Sequence, residues 1–393
     1  MWHFQATPGD QWDYTSTQHI VLADIAIGGK PRKILMQAPK NGFFYVIDRT
    51  NGRLISADPY VPVNWASGID PITGRPRVNP EAYYNKTGRP WLAAPGFLGG
   101  HNWHPMAYSR QTGLVYVPVQ EIGTPYIPDT SFTWRKQSVN LGVDLEKMGL
   151  PADRAIIRQV KAGLKGRIVA WDPISRKPRW TVELGGPWNG GMLATAGNLL
   201  FQGTAAGEFR AYDARSGRKL WTFQAQSGIV APPVTYSVNG RQYVTVVAGW
   251  GGVYPLLLGE LARGANDRTN NSRVLTFALD GKAVLPTQDA RMTPAAPPPP
   301  FGTEGQIAQG RTIYARTCSG CHGDGVMSGG VIPDLRYSVA AGDRNLWLSV
   351  TWDGILAERG MVSFRQELDR AQLEAVRAYV VARASEDWNT RDE

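Results

Sequence analysis

Over residues 1–290 the apolar positions fall in short runs that Gly, Asn, Asp or Pro interrupts every few residues, a pattern of short strands and tight turns. One unit recurs: a small residue, an aromatic or aliphatic one, Asp, a Gly turn, then an aromatic. Ala170-Trp171-Asp172 runs on to Trp180, and Ala211-Tyr212-Asp213 runs through Ser216-Gly217 to Trp221, with the two aspartates 41 residues apart. Weaker copies are Val46-Ile47-Asp48 with Asn51-Gly52 and Ala107-Tyr108-Ser109 with Thr112-Gly113. A period of about 40 residues with strand–turn–strand character predicts propeller blades, roughly four of them. Each Gly permits the hairpin turn, and each Trp can dock between neighbouring blades; Trp2 stands where a blade's terminal Trp belongs. Phe43–Asp48 and 53–57 are predicted to pair as antiparallel strands that alternate between two faces.

The pattern changes after a run from Pro294 through Pro297-Pro298-Pro299-Pro300. Such a run forms neither helix nor central strand, so 286–303 is predicted to be an extended linker between domains 1–285 and 304–393. Beyond it the apolar spacing is helical. From Gln306 to Thr317, Ile307, Gly310, Ile313 and Tyr314 share a packing side. Leu373, Val376 and Val380 follow a capping-box-like start at Asp369-Arg370-Ala371-Gln372. The fold class expected is mainly β: a partial propeller followed by a small all-α domain.

Composition changes this picture little: 44 Gly, 28 Pro and 14 Trp in 393 residues suit turns and short strands. The net charge of +9 is uneven, because residues 301–393 hold ten Arg, no Lys and thirteen carboxylates. The basic residues of the first 300 positions are scattered, without an arginine-rich run, so nucleic acid is not an expected partner. No apolar stretch reaches the length of a membrane span. Met1-Trp2-His3-Phe4 is not a signal peptide either, and a natural beginning further upstream is expected.

Both cysteines lie in Cys318-Ser319-Gly320-Cys321-His322. C-x-x-C-H is the pattern of c-type haem attachment: two thiols join the haem and the adjacent histidine ligates its iron. A redox dithiol would need a strand-to-helix setting, and a zinc site two further soft ligands. Met361, in a loop before the last helix, is the expected sixth ligand. Met327 is its rival, but only a few residues separate it from His322. Pro333 resembles the cytochrome proline whose carbonyl orients the ligating imidazole, and the 306–317 helix is similar to the first helix of class I cytochromes c. Covalent haem implies export, and hence a periplasmic protein.

Trp2-His3-Phe4-Gln5 and Pro8-Gly9-Asp10-Gln11-Trp12-Asp13-Tyr14 resemble the pyrroloquinoline quinone (PQQ)-dependent alcohol dehydrogenases. So do Ala38-Pro39-Lys40-Asn41-Gly42-Phe43-Phe44-Tyr45, His101-Asn102-Trp103-His104-Pro105 and Pro187-Trp188-Asn189-Gly190-Gly191. With the fused cytochrome, the resemblance is to the type II-like quinohaemoprotein branch and covers essentially the whole chain. It implies an eight-bladed propeller holding PQQ and a metal ion, and oxidation of primary or secondary alcohols in the periplasm. Asp13 matches the family's catalytic base, which takes the hydroxyl proton as hydride leaves. Asp10 shapes the turn. Lys40 matches the donor to the quinone oxygens, and Asn102 a cofactor-binding asparagine. Trp103 is either a cofactor contact or blade packing, and Asn189 is a further contact candidate. Thr15 stands where lanthanide-using relatives carry a second Asp, so Ca2+ is the metal expected.

The family's metal-ligating Glu and Asn, its adjacent-cysteine disulfide and its cofactor-stacking Trp lie in a region that this sequence does not contain. The expectation is a truncated or split enzyme whose missing N-terminal half would be a partner chain. Electrons would leave through the haem to a soluble cytochrome, a copper protein or a membrane quinone system. Two other readings stand beside this one: an electron-transfer cytochrome on an incomplete, non-catalytic propeller, and a binding module with haem as a structural or sensing group.

Overall fold

Val21–Ile27, Lys30–Gln37, Phe43–Asp48 and Leu54–Pro59 pair in sequence order as an antiparallel meander, the first of four such sheets. The second contains Ala107–Ser109, Leu114–Glu121, Lys165–Asp172 and Lys177–Leu184. Met192–Ala194, Leu199–Gly203, Glu208–Asp213 and Lys219–Gln224 make the third, and Val234–Val238, Arg241–Ala248 and Arg273–Phe277 the fourth. The computed structural model describes residues 1–134, 136, 140–149, 154–251, 253–262, 270–287, 296–328 and 332–389.

Three four-stranded sheets and one three-stranded sheet are the propeller blades that the repeat predicts. They stack face to face. Val115, Val117 and Trp171 pack with Val46 and Phe44 of the first sheet. Leu114, Tyr116 and Ile168, on the opposite face, pack with Leu200 and Tyr212 of the third. Phe209 of the third sheet then meets Val246 and Leu275 of the fourth. Phe43–Asp48 is predicted to alternate in burial, yet all six of its residues are buried. Cover on both faces removes the inside–outside alternation of a one-sided sheet.

The repeat has a mechanical reason. The Asp213 carboxylate accepts from the backbone N–H of Arg215 and Ser216, both at 3.0 Å, and closes the turn. Gly217 (φ +73°) leaves room for the Trp180 ring of the preceding sheet; a Cβ there would lie 2.7 Å from it. Trp2 sits on Gly52 in the same way. Ser56 of the first sheet falls eight residues after Asp48, where Trp180 follows Asp172, and nothing comes within 4 Å of a Cβ at Gly113. The ring-on-glycine contact thus joins Trp2 to Gly52 and Trp180 to Gly217, whereas the Trp221 ring packs on Phe277 at 5.3 Å.

The chain packs as two units, each discontinuous in sequence. One comprises Met1–Tyr126, Gln159–Trp250 and Asn271–Gln288; the other Ile127–Arg158, Gly251–Asn270 and Asp289–Glu393. A linear division at residues 285 and 303 does not foresee the two excursions, because propeller blades do not require their connections to stay with the sheets. Of the proline-rich linker, Pro294 lies outside the described residues, and 296–300 has neither helix nor strand.

The second unit contains the expected helices, Glu304–Thr317 and Arg370–Asn389. Thr303 Oγ1 caps the first by accepting from Gln306 N. Asp369 and Gln372 form a reciprocal capping box at the start of the last, at 2.7 and 2.8 Å. Tyr314, Leu373, Val376 and Val380 are core residues of this unit. The helices cross at Gly310, where a Cβ would stand 2.0 Å from the Ala375 carbonyl oxygen. Backbone cannot yield as a side-chain tip can, so Gly310→Ala is expected to destabilise this unit by about 2 kcal/mol or more. Chemical denaturation followed by helical circular dichroism measures the loss; a change below about 0.5 kcal/mol would contradict the crossing. Among the described residues no helix is long and apolar enough to cross a membrane.

Candidate functional sites in the propeller and cytochrome units

Segment Asp10–Tyr14 has no regular structure but is closely held. The Asp10 carboxylate accepts from Trp12 N at 2.9 Å, the Trp12 indole donates to the Ala82 carbonyl at 3.0 Å, and the Tyr14 hydroxyl donates to the Pro95 carbonyl. Trp12 and Tyr14 are fully buried, with Trp65 against both rings. Between them Asp13 turns outward at φ 60°, in the left-handed region. Burial pushes the Asp10 carboxyl up, against two backbone N–H bonds that pull it down. That fits the structural part expected of it.

Lys40 meets Asp13 from the connection between the second and third strands of the first sheet: Nζ lies 3.0 Å from Asp13 Oδ2. The lysine side chain is 10% exposed and the carboxylate 57%. A buried ammonium is costly unless paired, and here its partner faces outward, where a second anionic or carbonyl group could also be met. The loop 98–104 wraps the lysine: Gly100 N donates to Lys40 O, and a Cβ on Gly99 would lie 2.5 Å from Lys40.

Asn102 lies in that loop, where its amide donates to Leu98 O at 2.8 Å and accepts from Trp103 N at 2.8 Å. One amide N–H therefore remains to offer a ligand. Trp103 is 43% exposed and stacks on His104 at 4.2 Å, a free ring face rather than a buried blade contact. Asn189 is buried; its amide bonds Gly186 O at 2.7 Å and Ala205 N at 3.1 Å. Gln120 joins its segment to the same loop, donating to Leu98 O and Gly99 O and accepting from Trp188 N. Asp13, Lys40, Asn102, Trp103 and Asn189 thus belong to one hydrogen-bonded set of loops.

Two residues of this set were not singled out from the sequence, although both stand in the His101-Asn102-Trp103-His104-Pro105 motif. His101 is fully buried and lies between the Ala38 carbonyl (2.7 Å from Nδ1) and the His104 carbonyl (2.6 Å from Nε2). It ties the turn that carries Lys40 to the Trp103 loop. His104, under Trp103 and edge-on to Trp188, has a buried Nε2 without a hydrogen-bond partner among the described residues. Burial, and then His101, push the His104 imidazole down from 6.5 to about 3.

An unfolded chain therefore binds a proton at His104 below pH 6.5, whereas the folded one does not until about 3. The stability this imidazole confers is complete above pH 6.5 and is lost as pH falls toward 3. His104→Phe is expected to flatten the acid limb of the propeller unit's stability by roughly 3 kcal/mol between neutral and acid pH. Urea denaturation at pH 7 and pH 4 tests this, and parallel losses in both chains would contradict it.

In the second unit His322 is buried at the end of a helical turn, Ser319–His322, that begins next to Cys318. Its Nδ1 lies 2.8 Å from the Pro333 carbonyl oxygen. A carbonyl can only accept, so the proton sits on Nδ1 and Nε2 carries the free lone pair that iron requires. Burial lowers the imidazole's affinity for a second proton, against the Pro333 carbonyl and Asp334, and keeps it in ligand form. Cys318 is half-buried, Cys321 exposed, and both are free thiols. Met361 packs at the edge of the helical core, while Met327 is buried next to the His322 turn.

The loop presenting Pro333 is itself braced. Asp334 pairs with Arg336 through two bonds of 3.0 and 2.7 Å, and Arg336 reaches Asp387 on the last helix at 3.2 Å. These donors and thiols fit a covalently held haem. Among the described residues no three His, Cys, Asp or Glu side chains converge as a metal cluster.

Residues 1–65 and 153–244 match the glucose/ethanol/alcohol dehydrogenase beta-propeller family of PQQ proteins. Residues 305–380 match the cytochrome c oxidase, cbb3-type, subunit III family. The chain is 47% identical to the dehydrogenase subunit of the quinone alcohol dehydrogenase of Gluconobacter oxydans, over 99% of its own length and 52% of that protein's. It is 46% identical to quinohemoprotein alcohol dehydrogenase ADH IIB of Pseudomonas putida, over 99% and 55%. The solved structure of ADHIIG from Pseudomonas putida HK5 superposes on all of this chain with a TM-score of 0.90 at 40% identity, 57% of that protein being covered. The chain spans about half the length of the relatives it matches.

Proposed function

We propose that this chain, a propeller segment of the PQQ-dependent dehydrogenase type joined to a cytochrome c domain, forms the base-bearing wall of an alcohol-oxidising site and carries the haem that takes its electrons away. The observation that carries this reading is the Lys40–Asp13 pair, a buried ammonium 3.0 Å from an outward-facing carboxylate. When bound, PQQ supplies the two-electron acceptor for the hydride that leaves the carbinol carbon.

The chain's own residues do the rest. Asp13 accepts the hydroxyl proton of a primary or secondary alcohol. Lys40 holds that carboxylate by its 3.0 Å ion pair, and its remaining N–H bonds favour negative charge on a quinone oxygen. Asn102 offers its spare amide N–H and Trp103 its exposed face, with Asn189 holding the adjoining backbone. Cys318 and Cys321 would attach haem c, and His322 Nε2 and the Met361 thioether would hold its iron. The thioether raises the potential and suits outward electron transfer to a soluble cytochrome, a copper protein or a membrane quinone system.

Calcium, the metal expected, would draw most of its ligands from other parts of the propeller. The setting that covalent haem implies is the periplasm. The relatives extend over about twice this chain's length, so a closed propeller needs further blades beside the ones described. That the chain spans about half the length of the relatives it matches favours a second reading, an electron carrier alone.

One experiment separates the two. The haem spectrum is followed after adding ethanol to the chain with PQQ and calcium, alone and mixed with the first half of the Pseudomonas putida relative. Reduction in either mixture is expected. Haem that ascorbate reduces but alcohol leaves oxidised in both would overturn the dehydrogenase reading.

A further inference from the structure

Asp13 is one of few non-glycine residues in the chain with a positive φ. A left-handed residue breaks the local hydrogen-bond pattern, so the two carbonyls that precede it, those of Gln11 and Trp12, must find partners elsewhere. Both do. The Tyr84 hydroxyl donates to the Gln11 carbonyl at 2.8 Å, and the Tyr126 hydroxyl donates to the Trp12 carbonyl at 2.6 Å. The two rings stack at 4.9 Å and 10°, so the donors act as one rigid pair. They come from different elements, the short helix Tyr84–Thr87 and the strand Thr124–Tyr126. Both are buried, and burial pushes both phenols up, so each stays a donor.

We propose that Tyr84 and Tyr126 are positioning residues that hold the Asp13 backbone in its left-handed conformation and so bring its carboxylate to Lys40. The Trp12 carbonyl belongs to the peptide plane that rotates with the φ of Asp13. Turning that torsion toward the ordinary helical or extended range swings the carbonyl away from the Tyr126 hydroxyl. Contact between the Trp12 and Trp65 rings (5.2 Å) fixes the segment laterally but does not choose this torsion. The inference rests on reading Asp13 as the base only for its consequence; the geometry is independent of it.

The test uses the whole chain and the 15N–1H resonance of the Lys40 ammonium, which is seen only while it is paired and shielded from solvent exchange. Asp13→Asn is expected to abolish it. Tyr126→Phe and Tyr84→Phe, which remove one hydroxyl each and keep the stacked rings, are expected to speed its exchange about tenfold, the equivalent of one lost hydrogen bond. The control is Tyr116→Phe, which removes a similar buried hydroxyl bond to Ala214 O at 2.8 Å in another part of the propeller unit, and it is expected to leave the signal unchanged. Exchange within twofold of the parent in both tyrosine variants would overturn the proposal, as would an equal response in the control. Tyr84→Phe, at the more open end of the pair, decides the matter if Tyr126→Phe fails to fold. Lys40 exchange that responds while Asp13→Asn keeps full alcohol-driven haem reduction would uphold the cradle and refute the base.

Discussion

Chains in which Cys318 and Cys321 are both serine are expected to carry no haem that survives denaturation. The argument is geometric as well as chemical. Cys321 N and His322 N donate back to the Cys318 carbonyl at 3.1 and 2.9 Å, so one helical turn presents both thiols and the imidazole together. Serine cannot form the thioether, and His322 alone would hold haem only reversibly. His322→Ala makes the complementary case. The haem remains attached, but the iron loses the nitrogen donor that Pro333 orients, and its potential moves on the order of 100 mV within the range that axial ligands set. Haem staining after denaturing electrophoresis checks the first, and a redox titration of the visible spectrum the second. Staining that persists in the double serine chain would refute the attachment.

Asp13→Asn is expected to lower kcat for alcohol by 10²–10⁴-fold, roughly 3–5 kcal/mol of barrier, in any preparation where alcohol reduces the haem. Asparagine keeps the size of the carboxylate but neither its charge nor its capacity to take the proton, so KM is expected to change little by comparison. Lys40→Met should behave differently. It removes a buried charge and leaves Asp13 exposed, which burial energetics make nearly neutral for folding. Its cost falls instead on affinity for an acidic quinone and on negative charge at the ring oxygen. Steady-state kinetics with PQQ titration, alongside urea denaturation, separates these effects. Turnover within threefold of the parent in Asp13→Asn would remove it as the base.

Much of the fold was legible because the repeat carries its own physics. Asp213 closes a turn, Gly217 admits a ring and Trp180 fills the space, so the periodic triplet reads as blades. The helical unit was legible through Gly310 and the Asp369–Gln372 box, whose spacing encodes a crossing and a start. The all-buried Phe43–Asp48 strand was not, since burial on its second face depends on a sheet built from residues 107–184. Nor was the passage of Ile127–Arg158 and Gly251–Asn270 into the second unit, because no local pattern says which core a connection joins.

The same division holds at the sites. Cys318, Cys321 and His322 lie within one turn, so their chemistry depends on covalent spacing and could be read without a fold. Asp13 and Lys40 are 27 residues apart, and that they meet at 3.0 Å is a fact of packing. His101 bridges two carbonyls, and Tyr84 and Tyr126 hold the Gln11 and Trp12 carbonyls, in a sequence that shows only ordinary histidines and tyrosines. Hydrogen bonds to backbone carbonyls leave no residue-type signature on the accepting side. Local spacing therefore determined the blades, the haem motif and the helix crossing. Tertiary structure alone decided which carbonyls are held, and so where the Asp13 carboxylate points.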